Sequence, residues 1–267
     1  MLVPVPQPYD FALSTVRFRE YGSDGTTVWH EGGLQRVVAG REIRIEPTRD
    51  GVRIEPGSFE AAKEVSFLLG LPFELDAFRA WAVREPALSR VVGALAGFRP
   101  TLTPNLFEAL VIAITAQQVS LQAAAAIRSR FVERYGVRHE LASEFPARER
   151  VARGTVSELR SLGFSERKAE YVIGLARSDL DLAALTLLPD DEVKAQLTAL
   201  RGLGEWTADW FLARYLGRPR AWPAGDLALR KAVRALYGDV DVRAAGARFE
   251  PFQNLTAHYL LAQFLTP

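Results

Sequence analysis

The chain has 267 residues, 33 basic against 32 acidic side chains, 48% hydrophobic residues and no cysteine. It is too apolar and too balanced for a disordered or collagen-like chain. The lack of cysteine excludes disulfides, a thiol nucleophile, a thiolate zinc site and a cysteine-ligated iron–sulfur cluster. No apolar run reaches the roughly 18 residues of a membrane span, and the opening MLVPVPQPYD lacks the order of a secretory signal. A cytoplasmic protein without membrane contact is expected. His30, His139 and His258 lie too far apart in sequence to suggest a histidine-rich metal site.

The first sixty or so residues read as strands and turns. Period-two alternation marks Ser14 to Arg19, Arg41 to Glu46 and Gly51 to Glu55, and Gly22-Ser23-Asp24-Gly25, Gly32-Gly33 and Asp50-Gly51 supply turns. An antiparallel sheet with one wet face fits. After Pro56 the pattern becomes helical. Helices are predicted over 75–85 and 88–96, from an Asn105 cap onward, and over 121–135, 156–162 with Gly163 beyond its end, and 167–177. Further helices are predicted from Asp190, over 205–216, from Asp226, and over Gln253 to Phe264. Short joints favour a compact bundle. The fold class is mostly α with an amino-terminal α+β antiparallel-sheet domain.

The densest information lies between Leu197 and Val233. Leu200-Arg201-Gly202-Leu203-Gly204 joins two helices, and the second starts directly after Gly204, so its free N–H groups and dipole suit a phosphate. A tight joint with no ligand has the same spacing. From Arg201 to Arg234 seven basic residues face three acids; a solvated face explains that as readily as nucleic acid does. Beyond the joint, Pro223-Ala224-Gly225-Asp226 places a carboxylate at a helix start, where an N-cap is its simplest role. The combination is more specific than its parts.

Leu-x-Gly-x-Gly-x-Trp-Thr-Ala followed by Pro-x-x-Asp resembles the helix-hairpin-helix, Gly/Pro-Asp (HhH-GPD) superfamily of DNA glycosylases, nearest its bacterial 3-methyladenine DNA glycosylase II (AlkA-type) branch. Pro8-Tyr9-Asp10-Phe11, Ala116-Gln117-Gln118-Val119-Ser120 and Leu162-Gly163-Phe164 with Lys168-Ala169 match in order along the chain. The resemblance implies an amino-terminal sheet domain over 1–98 and an all-α glycosylase body over 99–267, with the hairpin at about 198–206. It implies double-stranded DNA carrying alkylated bases as the partner, a monomer in the bacterial cytoplasm, and no required cofactor. A Na+ or K+ held by the backbone carbonyls of Thr198, Leu200 and Leu203 is carried over from the family.

Each role has a physical basis. Excision requires turning the nucleotide out of the helix. The amides of Gly202 and Gly204, with Thr207 as a hydroxyl donor, would grip the DNA backbone without reading sequence. Gln118 falls at the position that fills the gap in the stack, with Gln117 as the alternative. Asp226 would stabilise positive charge developing on the sugar. Trp206 and Trp210, four apart on one helical face, with Trp222 and Phe252, would form the base pocket; their electron-rich faces suit a cationic N-alkylpurine. Strand-cleaving relatives place a Schiff-base lysine where this chain has Trp206, so a monofunctional glycosylase is expected. The competing expectation is a catalytically inactive hairpin protein that senses alkylated DNA. Asp209 is expected to point away from DNA, toward Arg214.

Overall fold

The computed structural model describes residues 1–20 and 22–263. Strands β1 (Leu2–Pro4), β2 (Thr27–His30), β3 (Gly33–Val38), β4 (Arg41–Thr48) and β5 (Gly51–Glu55) form an antiparallel sheet in the order β1-β5-β4-β3-β2. β4 and β5 alternate as the sequence predicts. β3 is buried along its whole length, so it carries no period-two signal. The strand expected over Ser14 to Arg19 is replaced by two single-turn helices, Phe11–Ser14 and Arg17–Glu20. Local side-chain bonds outweigh the alternation: Asp10 accepts from the Leu13 amide at 2.9 Å, and the Thr15 hydroxyl donates to the Phe11 carbonyl at 2.6 Å.

The longer helices are α1 (Phe59–Leu68), α2 (Leu75–Ala82), α3 (Pro86–Ala94), α4 (Leu106–Ala116), α5 (Leu121–Tyr135), α6 (Val156–Ser161), α7 (Glu166–Arg177), α8 (Asp190–Thr198), α9 (Glu205–Arg214), α10 (Leu227–Tyr237) and α11 (Gln253–Ala262). The predicted end of the last helix at Phe264 lies outside the described residues. Caps begin the elements where the sequence places them. Asn105 accepts from the amides of Phe107 and Glu108, and Gly163 takes a φ of +99° after α6.

Three cores organise the chain. The first packs α1 through Ala61, Val65 and Leu68 against Leu34, Ile45 and Ile54 of the sheet. The second surrounds α4, with Leu110, Val111 and Ile114 against Phe131, Val172, Leu197 and Phe211. The third joins Phe78 of α2 and Leu88 of α3 to Leu229 of α10 and Tyr259 of α11. This third core has residues on both sides of position 98, Phe78 and Leu88 before it and Leu229 and Tyr259 after it. The apolar faces of α2 and α3 are covered by the far end of the chain rather than by the sheet. Between the sheet's leading segment, α4, α5, α9 and α11 lies a cavity of about 450 Å³.

Candidate active site

The hairpin and the carboxylate meet at α9. Asp226 caps α10, its Oδ1 accepting from the amides of Ala228 and Leu229 at 2.9 and 3.0 Å. Its Oδ2 accepts from the indole Nε1 of Trp206 and of Trp210, each at 3.1 Å. The four-residue spacing of the tryptophans puts both N–H groups on one side of α9, and the Pro223–Gly225 turn brings the carboxylate to them. Asp226 is half-buried and lines the cavity together with both indoles. N-cap and site residue are thus one role: one oxygen is spent on the helix, the other is held at the cavity by two donors.

The other two aromatics expected in the pocket are elsewhere. Trp222 donates its Nε1 to the Val242 carbonyl at 2.7 Å and packs on Phe249. Phe252 packs edge-on to Phe78 and against Trp81 in the third core. Trp222 is consumed by the segment from Val242 to Phe249 and Phe252 by α2, and neither lines the cavity. Trp210 keeps its place, but the Arg214 guanidinium lies over its ring at 4.8 Å.

At the hairpin, Gly202 has φ +90°, and a Cβ there would overlap the Tyr171 ring, so the turn requires glycine. Gly204 precedes α9 with open space around it and no side chain capping the helix, which leaves the first amides of α9 facing outward. Glu205 in that first turn would repel an anion, but Arg243 neutralises it through a two-pronged pair at 2.7 and 3.1 Å. Thr207 does not present its hydroxyl outward: it is 1% exposed, and its Oγ1 accepts from Gln117 Nε2 at 3.4 Å. The same Gln117 nitrogen donates to the Gly202 carbonyl at 3.0 Å. Gln117 therefore braces the hairpin. Gln118 is exposed with φ +53°, followed by exposed Val119. These residues occupy the turn after α4, not the helix itself.

The carbonyls of Thr198, Leu200 and Leu203 follow the end of α8, where the helix dipole favours a cation. The Thr198 hydroxyl bonds back to the Lys194 and Ala195 carbonyls, and among the described residues Leu200 oxygen accepts only the Leu203 amide, leaving a lone pair. The donor set fits a monovalent ion. Asp209 points into the body, 2% exposed, and pairs with Lys194 at 2.5 Å rather than with Arg214. Burial pushes its carboxyl above the usual range.

Much of the cavity wall comes from residues with no motif. The leading segment contributes Arg17, Phe18 and Asp24; the helices add Glu108, Leu121, Arg128, Arg214 and His258. Burial pushes Asp24 up, but Arg128 at 3.0 Å and the Thr26 bonds outweigh it and hold the carboxyl below its ordinary value. Glu108 is paired with Arg36 at 3.2 Å. Burial, and then the neighbouring Arg214, push the Arg17 guanidinium down to about 10. Burial pushes the His258 imidazole down to about 3, aided by Arg214. Its ring hydrogen-bonds the Ala213 carbonyl, which a neutral imidazole does through its N–H, so the unpartnered Nε2 carries the lone pair.

Comparison with known proteins places this geometry. A Bacillus subtilis protein described as DNA-3-methyladenine glycosylase is 31% identical over 209 residues, covering 75% of this chain and 69% of that one. The structure of a 3-methyladenine DNA glycosylase from Archaeoglobus fulgidus superposes with a TM-score of 0.87 at 27% identity, covering 100% of this chain and 99% of the other. A Schizosaccharomyces pombe 3-methyladenine DNA glycosylase solved in complex with abasic DNA gives a TM-score of 0.55 at 26% identity, over 64% and 88% of the two chains. The pattern of the HhH-GPD superfamily of base excision DNA repair proteins matches residues 111–250. With the hairpin, the capping aspartate and the paired indoles all inside that span, the chain belongs to the HhH-GPD superfamily.

Proposed function

We propose that the protein is a monofunctional DNA glycosylase that excises N-alkylated purines, such as 3-methyladenine and 7-methylguanine, from duplex DNA in base excision repair. The observation that carries this reading is the Asp226 carboxylate, fixed by two indole and two backbone N–H groups at the edge of a cavity of about 450 Å³. That volume suits one extruded base. The relatives' names agree in substrate class.

The open amides of α9 at Gly204 take a backbone phosphate, on a turn whose shape Gly202 permits against Tyr171. Gln118, with Val119 beside it, enters the space the extruded nucleotide leaves. The bond between C1′ and the base nitrogen then breaks with its electron pair going to the base, which discharges a cationic alkylpurine into a neutral leaving group. The sugar carries the positive charge, and Asp226 Oδ2 stabilises it electrostatically. Water adds at C1′ and its proton passes to solvent. A monovalent cation on the carbonyls of Thr198, Leu200 and Leu203 would add positive charge where the phosphate docks. Action as a monomer in the bacterial cytoplasm completes the reading.

Strand cleavage through a Schiff base is not part of the proposal. Trp206 occupies the nucleophile's place, and no lysine is among the cavity-lining residues. Lys168 instead donates to the Thr115 carbonyl at 3.0 Å, and Lys194 pairs with Asp209. Chromatography of methylated duplex DNA after incubation tests the reading. Free methylpurines should appear, intact abasic strands should remain, and borohydride should trap no covalent adduct. DNA binding without base release would favour the inactive sensor.

A further inference from the structure

Arg17, Arg214 and His258 line the cavity, yet none takes part in bond cleavage by Asp226. Arg17 Nη1, Arg214 Nε and His258 Nε2 are all buried without a hydrogen-bond partner among the described residues, and His258 is 5% exposed. The nearby carboxylates do not serve these arginines: Asp24 pairs with Arg128, and Glu108 with Arg36. Unpaired polar groups in a buried wall are unusual. Together with the Thr103 hydroxyl, which is also buried and unpartnered in this wall, they form a set open to a polar ligand.

The set has a definite pattern. A guanidinium only donates, and the Nε2 of His258, with its ring N–H committed to the Ala213 carbonyl, only accepts. The base-pairing edge of a 6-oxopurine offers the complement, an O6 acceptor beside an N1–H donor. A 6-aminopurine offers the reverse, an amino donor beside an N1 acceptor. We propose that Arg17, Arg214 and His258 are specificity-determining residues that read the extruded base as a 6-oxopurine, favouring 7-methylguanine over 3-methyladenine. This rests on the glycosylase reading and names the purine class its cavity prefers. Both alkylated nucleosides are cationic, so the charge of the two arginines acts on both alike, and the discrimination comes from hydrogen-bond polarity. An aminopurine leaves the guanidinium facing a donor and the imidazole facing an acceptor.

The test is the ratio of two initial rates, 7-methylguanine and 3-methyladenine released from the same methylated duplex DNA. In Arg214→Met the ratio should fall about tenfold or more relative to the unsubstituted protein. Arg17→Met, on a separate segment of the chain, should lower it in the same direction, as should His258→Phe. General loss of folded protein lowers both rates and leaves their ratio in place, so the ratio isolates recognition. Ratios within about twofold of the parent in both arginine variants overturn the inference while the glycosylase reading stands. Release of neither base by the parent protein overturns the glycosylase reading itself.

Discussion

The indole Nε1 of Trp210 lies 3.1 Å from Asp226 Oδ2, and the indole of Trp206 reaches the same oxygen at the same distance. Neither tryptophan is then only a stacking surface. Their edges set the direction of the carboxylate while their rings wall the cavity, which couples the cavity lining to the group proposed to stabilise the sugar.

Asp226→Asn removes the charge and keeps a good helix cap. Base release under single-turnover conditions should fall by about 100-fold or more, since it removes the electrostatic stabilisation of the sugar. The thermal midpoint should move little, because the bonds to the Ala228 and Leu229 amides remain available. Release at the parental rate would show that this carboxylate is not the stabilising group.

Trp206→Phe and Trp210→Phe each leave one indole on Oδ2. Each should slow cleavage about tenfold, the effect of one lost hydrogen bond of about 1.4 kcal/mol in the transition state. The double substitution should lose more than the product of the two, because a single remaining donor still orients the oxygen. Strictly multiplicative rates would argue against a shared orienting role.

Neighbouring glutamines should behave differently. Gln117→Ala removes the brace to the Gly202 carbonyl and Thr207, lowering stability by about 1 kcal/mol and weakening binding to undamaged DNA. Gln118→Ala touches an exposed side chain; stability should hold while lesion release slows. Urea unfolding and binding titrations of the two variants separate these outcomes, and identical profiles would contradict the division of roles.

His258 predicts an acid sensitivity. Its imidazole is held down to about 3 against an ordinary 6.5, so between those values the unfolded chain binds a proton that the native one does not. Stability therefore rises with pH through this window and is lost as pH falls from about 6.5 toward 3. The slope from this one group is up to about 1.4 kcal/mol per pH unit. Urea midpoints between pH 6.5 and 4.5 should flatten in His258→Gln; an unchanged slope would place the acid-labile group elsewhere.

What was legible in the sequence is local. Helix starts at Asn105 and Asp226, the positive-φ glycine of the hairpin, and the spacing of Trp206 and Trp210 all depend on residues a few positions apart, where side-chain chemistry acts directly on its own backbone. β3 was not legible, because a strand buried on both faces loses the alternation that marks a wet one. Ser14 to Arg19 misled for the opposite reason: its alternation is real, but the Asp10 and Thr15 side chains close helical turns over it.

The sequence by itself determined the family, the hairpin and the aspartate that caps α10, since each is carried by close spacing along the chain. Tertiary structure alone decided which aromatics face the cavity, that Thr207 and Asp209 turn inward, and that Arg17, Arg214 and His258 meet in one wall. Those outcomes depend on how three cores divide the apolar side chains: Trp222 and Phe252 are spent on the third core, whereas polar groups from both ends of the chain are left facing the same space. Burial is a competition among all the side chains at once, and no short stretch of residues records who wins it.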